Sequence, residues 1–266
     1  MKNILVLVHD DPGQEARLQC ALDIVRATNG HLNCLDVASP PLLADSYAGN
    51  YGQALVVEQA LDTEKANRML VEPRLVAEGV PYTWEETIGV ISERIVDRSA
   101  LNDLVVVSLA GHGSEAVGEH VAQHIASRAG RPIMAVPNGL RSIDVFGPAM
   151  IAWDGSDAAE SAMRAALPLL GFASKVELVT IGDRGGLRTS EEAAAYCDRH
   201  GIELEVVNLP KGEARTYEAL LERAKASGAK WMVMGAYGHS HLRENLLGGT
   251  TRDMLRHSPI PLFLAH

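Results

Sequence analysis

Ten short strand-like runs, most of them rich in apolar residues, punctuate this chain, and they fall into two matching sets of five. The first set is ILVLVHDD (4–11), HLNCLDVA (31–38), PYTWEETIG (81–89), LNDLVVVSLAG (101–111) and GRPIMAVP (130–137). The second is AMIAWDGS (149–156), KVELVTIG (175–182), IELEVVNLPKG (202–212), AKWMVMGAYG (229–238) and SPIPLFLAH (258–266). Short runs that are apolar on both faces are the mark of parallel strands. The amphipathic segments between them have the length that parallel crossovers require. Each half therefore reads β-α-β-α-β-α-β-α-β, and the predicted fold is α/β, two tandem doubly wound parallel-sheet domains.

Local signals agree with that order. Helical patterns cover Gln14 to Thr28, with Gly30 beyond, and Ala158 to Leu170, with Gly171 beyond. Thr189 to Glu192, TSEE, has the form of a capping box, and Gly201 stands where a left-handed helix terminator belongs. The first half carries an insertion between its second and third strands. Its start, Pro40 to Gly52, reads as a loop and the remainder as a long amphipathic helix. The join between halves falls in NGLRSID (138–144), which places one domain at 1–142 and the other at 143–266.

Composition narrows the function classes. The formal net charge of -10 argues against a nucleic-acid binder, which needs a basic footprint to displace counterions. No apolar run approaches the roughly 18 residues that span a bilayer. Three widely spaced cysteines, Cys20, Cys34 and Cys197, do not make a disulfide framework, and the reading is a cytoplasmic protein.

The richest motif lies near the carboxy end. After the strand run that closes with Met234, the chain places Gly235, Gly238, Gly248 and Gly249, then Thr250 and Thr251 at the opening of a helix. Glycines at a strand exit let a nucleotide lie on bare main chain. A helix start offers amide N–H groups and the positive end of a dipole to phosphate. Asp154, at the end of that half's first strand, is placed to accept from a ribose or a base edge, or else to serve as a cap for the helix from Ser156.

The G-x2-G-x9-G spacing, the DGS after the first strand and the ending RHSPIPLFLAH together resemble the universal stress protein family, in two tandem copies over the whole chain. The resemblance implies adenine nucleotide alpha hydrolase-like domains. It also implies ATP, with or without Mg²⁺, in the second half. Carried over by position, Asp154 and Ile181 would contact adenosine. Met234, Gly235, Tyr237, Gly238, Gly248, Gly249 and Thr250 would line the phosphate side, with Thr251 an alternative hydroxyl. This sequence departs from the family pattern at Gly249, where a Ser or Thr is the rule. The last strands of the two copies are implied to pair with each other as an internal pseudo-dimer, and a homodimer of whole chains is left open.

The first copy departs further. His9 takes the aspartate position, and Glu119 and His120 take the Gly-Ser position, so a carboxylate would face and repel phosphate. That half is expected to bind no ATP in the family manner. GHGSEA (111–116) fits a loose dinucleotide fingerprint but follows the fourth strand rather than the first. His120 with His124, and His239 with His241, lack the companions of a metal site. Cys197 reads as an inert helical thiol. Tyr47 and Tyr51 in the insertion suit either a lid or a covering loop. The expected function is an adenine-nucleotide-binding, stress-response regulator with little or no turnover and therefore not an enzyme. The alternatives are a nucleotide-free interaction protein and a slow ATPase.

Overall fold

The computed structural model describes residues 1–40, 49–109, 117–182, 188–236 and 249–266, apart from the side chains of 49–53, 117–121 and 123. Tyr47, the GHGSEA motif, Tyr237, Gly238, His239, His241 and Gly248 lie outside the described residues, as do the side chains of Tyr51, Glu119 and His120. The first half runs β1 (Asn3–Val8), α1 (Gln14–Thr28), β2 (His31–Ala38), α2 (Gly49–Glu78), β3 (Tyr82–Ile88), α3 (Ile91–Arg98), β4 (Leu104–Ser108), α4 (Val117–Arg128) and β5 (Ile133–Val136). The second half repeats this as β6 (Ala149–Ala152), α5 (Asp157–Leu170), β7 (Val176–Ile181), α6 (Ser190–Asp198), β8 (Leu204–Leu209), α7 (Thr216–Ser227), β9 (Trp231–Gly235), α8 (Gly249–His257) and β10 (Leu262–Ala265).

All ten runs form strands, and within each half the strands are parallel. The order is β3-β2-β1-β4-β5-β10-β9-β6-β7-β8, so each half has the doubly wound sequence third, second, first, fourth, fifth. The halves meet where β10 pairs with β5 antiparallel, Phe263 opposite Met134. This pairing leaves neither closing strand as an open edge, the exposure that invites association. One face of the sheet packs Leu18, Leu22, Leu75, Met163, Leu169 and Cys197 from α1, α2, α5 and α6. The other packs Ile95, Ile125, Leu220 and Met254 from α3, α4, α7 and α8. Each apolar layer contains residues of both halves, so apolar burial joins them alongside the strand pairing.

Helix ends explain most boundaries. Thr189 caps α6 through a complete capping box: its hydroxyl accepts from the Glu192 N–H at 3.1 Å, and Glu192 accepts from the Thr189 N–H at 2.8 Å. Gly201, at φ +76°, turns the chain out of that helix, and the Ile202 N–H reaches back to the Cys197 carbonyl. At the end of α1 the left-handed residue is Asn29, at φ 48°, one position before the glycine that the sequence suggests. Asn tolerates that conformation because its short polar side chain bonds locally. The insertion helix also begins earlier than expected, at Gly49 rather than after Gly52. The join between halves is no free linker. Ile143 and Val145 are buried, and the Ile143 N–H donates to Asp23 of α1 at 3.1 Å.

Candidate nucleotide site

In a doubly wound sheet the crevice opens beyond the carboxyl ends of the strands, where successive helices leave on opposite faces. In the second half that switch lies between β6, followed by α5, and β9, followed by α8. The turn after β6 is built by its own side chains. Asp154 accepts the Ser156 N–H at 3.1 Å, and Ser156 in turn caps α5 by accepting the Ala159 N–H at 3.1 Å. The cap of α5 is therefore Ser156 rather than Asp154, which only holds the turn before it, and the ligand role of Asp154 is left open. One carboxylate oxygen holds the turn, and the exposed side chain stands at the rim of the crevice.

Seven of the ten residues singled out from the sequence fall among the described residues, and all seven converge on one cavity of about 270 Å³. Asp154 and Ile181 stand on one side, and Met234 and Gly235 at the end of β9 form the floor. Gly249, Thr250 and Thr251, the first turn of α8, form the other side. Val179 and Leu220 complete an apolar wall with Ile181 and Met234. A second cavity of about 600 Å³ shares Trp153, Asp154 and Ile181 with the first and extends over β7 and β8. There the Thr180 hydroxyl lies 2.5 Å from the Asn208 amide oxygen. Arg188 at the rim is neutralised by Asp157 at 2.7 Å and Glu160 at 2.6 Å.

The charge at the helix starts is uneven. The first turns of α5, α6 and α7 each carry acid: Asp157 and Glu160, Glu191 and Glu192, and Glu218. The first turn of α8 carries none, so no side chain of that turn offsets the positive dipole end that lines the smaller cavity. Gly249 has open space where a side chain would begin. Thr250 is half-buried. Thr251 is buried, and its hydroxyl donates to the Gly235 carbonyl at 3.5 Å, a long bond that ties α8 to β9.

Gly235 has a different reason to be glycine. A Cβ there would stand 2.6 Å from the Ala159 nitrogen and 2.7 Å from the Ala158 carbonyl carbon. The first turn of α5 lies directly on β9, and close backbone approach, rather than room for a ligand, accounts for the missing side chain.

At the matching place in the first half, one side chain bridges the ends of β1 and β4. The Arg17 side chain is 2% exposed. It makes paired bonds to Asp11 at 2.9 and 2.8 Å and also donates to the Ser108 hydroxyl at 2.7 Å and the Leu7 carbonyl at 3.1 Å. His9, at the position of Asp154, lies 2.5 Å from Glu64 of the insertion helix. The sequence argument placed an obstacle at Glu119, whose side chain lies outside the described residues, and Arg17, which bridges β1 and β4, carries no motif to betray it. Among the described residues there is no cluster of three or more metal-ligating side chains suited to an ion, and no helix is long and apolar enough to cross a membrane. Cys197 is buried, which pushes its thiol up to about 11.

Residues 146–266 match the model of the Universal stress protein family. The chain is similar to universal stress protein Slr1230 of Synechocystis sp., 24% identical over 189 residues, which are 65% of this chain and 61% of that protein. The chain thus spans less than two thirds of that relative's length. Among solved structures, a universal stress protein from Archaeoglobus fulgidus superposes with a TM-score of 0.72 at 17% identity, covering 98% of this chain and 97% of that one. A protein of Pseudomonas aeruginosa PAO1 described as functionally unknown gives 0.65 at 14% identity, covering 100% and 92%. At such identities the superpositions establish the fold and nothing finer. Residues 146–266 belong to the universal stress protein family, and the fold of that family runs through the whole chain.

Proposed function

We propose that the second half is a nucleotide-responsive module in a stress-response role, holding ATP or a related adenine nucleotide with little or no turnover. The observation that carries this reading is the convergence of seven residues on the smaller cavity at a helix whose first turn carries no acid. The fit can be followed group by group. Val179, Ile181, Leu220 and Met234 offer an apolar bed for a base. Asp154 has carboxylate capacity left to accept from a ribose. The α8 amides and the Thr250 hydroxyl face the side where phosphates would lie, and oriented N–H groups bind anions without cationic side chains. A bound Mg²⁺ would neutralise phosphate charge and would be held chiefly through the phosphates themselves.

Slow or absent turnover is part of the same reading. Phosphoryl transfer needs a positioned base or a water-orienting group near the terminal phosphate. The crevice carboxylate, Asp154, is committed through one oxygen to its own turn. The test is native mass spectrometry of purified protein, followed by calorimetric titration with ATP. The variant Gly249→Asp places a carboxylate at the helix start in open space. It is expected to fold normally and to weaken ATP binding at least tenfold, about 1.4 kcal/mol. Equal affinity in the variant, or no binding by the wild type, overturns the proposal.

A further inference from the structure

Helix α2 has no equal in the second half: the corresponding α6 spans nine residues and α2 thirty. It is fastened to the sheet of the first half at Glu64, a residue 5% exposed, which meets two groups from the sheet. His9, just beyond β1, brings Nδ1 to 2.5 Å from one oxygen of Glu64. Asp36 on β2, 2% exposed, stands in register with Val8, the residue before His9, and the charge of Glu64 reaches it there. Two buried carboxyl groups flanking one imidazole cannot all give up their protons at low cost, so a proton is part of the packing. We propose that α2 is held on the first half by a proton-operated latch, in which His9 and Asp36 each hold a proton beside the buried Glu64 and the helix loosens when those protons leave.

The surroundings leave the cluster to settle its own charge. From α1, Arg17 is committed to Asp11, Ser108 and main-chain carbonyls, and Gln14 is bonded in both directions to the Asn67 amide at 2.7 and 2.8 Å. From α2 itself, Asn67 donates to Glu64 at 3.4 Å, and Arg68 is held by Glu72 and Glu86. From β3, Glu86 stands in register beside Asp36 and adds a like charge. Burial, then Glu64 and Glu86, push Asp36 up to about 7. Burial opposes a charged His9, but Glu64 and Asp11 outweigh it and raise that imidazole.

Both groups titrate higher in the folded protein than in the unfolded chain, so both contributions have the same sign. The share of Asp36 is fully present below its ordinary 3.8 and is lost as pH rises through about 7. The share of His9 is present below 6.5 and is lost as pH rises through its raised value. The latch is therefore closed in mild acid and loosens across neutrality.

Hydrogen exchange read by mass spectrometry on the full chain tests this, with rates corrected for the intrinsic effect of pH. Between pH 6 and pH 8 the protection of α2 is expected to fall at least about fivefold while that of α5 holds. Asp36→Asn keeps the shape and a donor without a titrating proton, and it should retain α2 protection at pH 8. Should that variant fail to fold, Glu64→Gln removes the central charge and serves the same purpose. A smaller fall in the wild type, an equal fall in α5, or an undiminished pH effect in the variant overturns the latch.

Discussion

Replacing Gly235 by alanine separates packing from ligand binding as the reason for a glycine in a nucleotide motif. The added methyl would stand 2.6 Å from the Ala159 nitrogen, 2.7 Å from the Ala158 carbonyl carbon and 3.0 Å from the Ala158 Cβ. Ordinary contacts are nearly 1 Å longer, so α5 or β9 must move by about that much. Neither moves freely. Ala158, Ala159, Ala162 and Met163 are buried against the sheet, and β9 is hydrogen-bonded on both sides. The Ala159 N–H is also the one that Ser156 caps, so a shift of α5 loosens its cap too. Overpacking of this kind costs about 3 kcal/mol at the upper end of its range. The reduced freedom of the unfolded chain returns at most about 1 kcal/mol. A net loss of about 2 kcal/mol should lower Tm by about 4–8 °C in a chain of this size. Differential scanning calorimetry without nucleotide is the assay. The control is Gly249→Ala, whose methyl meets nothing within 4 Å and which should leave Tm unchanged or slightly higher. A Gly235→Ala protein melting within about 1 °C of the wild type refutes the packing account.

Two further outcomes follow from buried ions. Arg17→Met removes a buried guanidinium and leaves the 30% exposed Asp11 with only the Gly13 N–H as a bonding partner among the described contacts, so urea denaturation should show a loss of about 1–3 kcal/mol. Glu177, 2% exposed, is bonded to Lys175 at 2.8 Å and to Arg223 at 2.8 Å. Burial opposes its charge, but those two cations hold its carboxyl below the usual range. Its contribution is present above its ordinary 4.5 and is lost as pH falls through the lower folded value. Glu177→Gln should therefore destabilise at pH 7, with the difference from wild type shrinking toward pH 3 in parallel urea titrations; a difference independent of pH counts against the assignment.

Much of the fold was legible in the chain because its signals are local. The Val- and Ile-rich runs at 104–108 and 133–136 announce buried strands by composition alone, and TSEE at 189–192 closes its capping box within a single turn. The candidate site was legible for a related reason: strand ends and a helix start near residues 234–251 are local features, and the topology then gathers them with Asp154 and Ile181. Val179, Leu220 and Trp153 were missed because an apolar residue gives no sign of whether it lines a core or a crevice.

The repeat by itself determined two doubly wound halves, since hydrophobic period and cap chemistry act within a few residues of chain. Tertiary structure decided what those halves do to each other and to their own crevices. It brought β5 against β10 across more than a hundred residues, laid α5 on Gly235, and set Arg17 across the ends of β1 and β4. It also brought His9, Asp36 and Glu64 from three separate elements to one buried point. Such contacts depend on which distant groups the packed sheet leaves to satisfy one another, and that demand does not exist until water has been excluded.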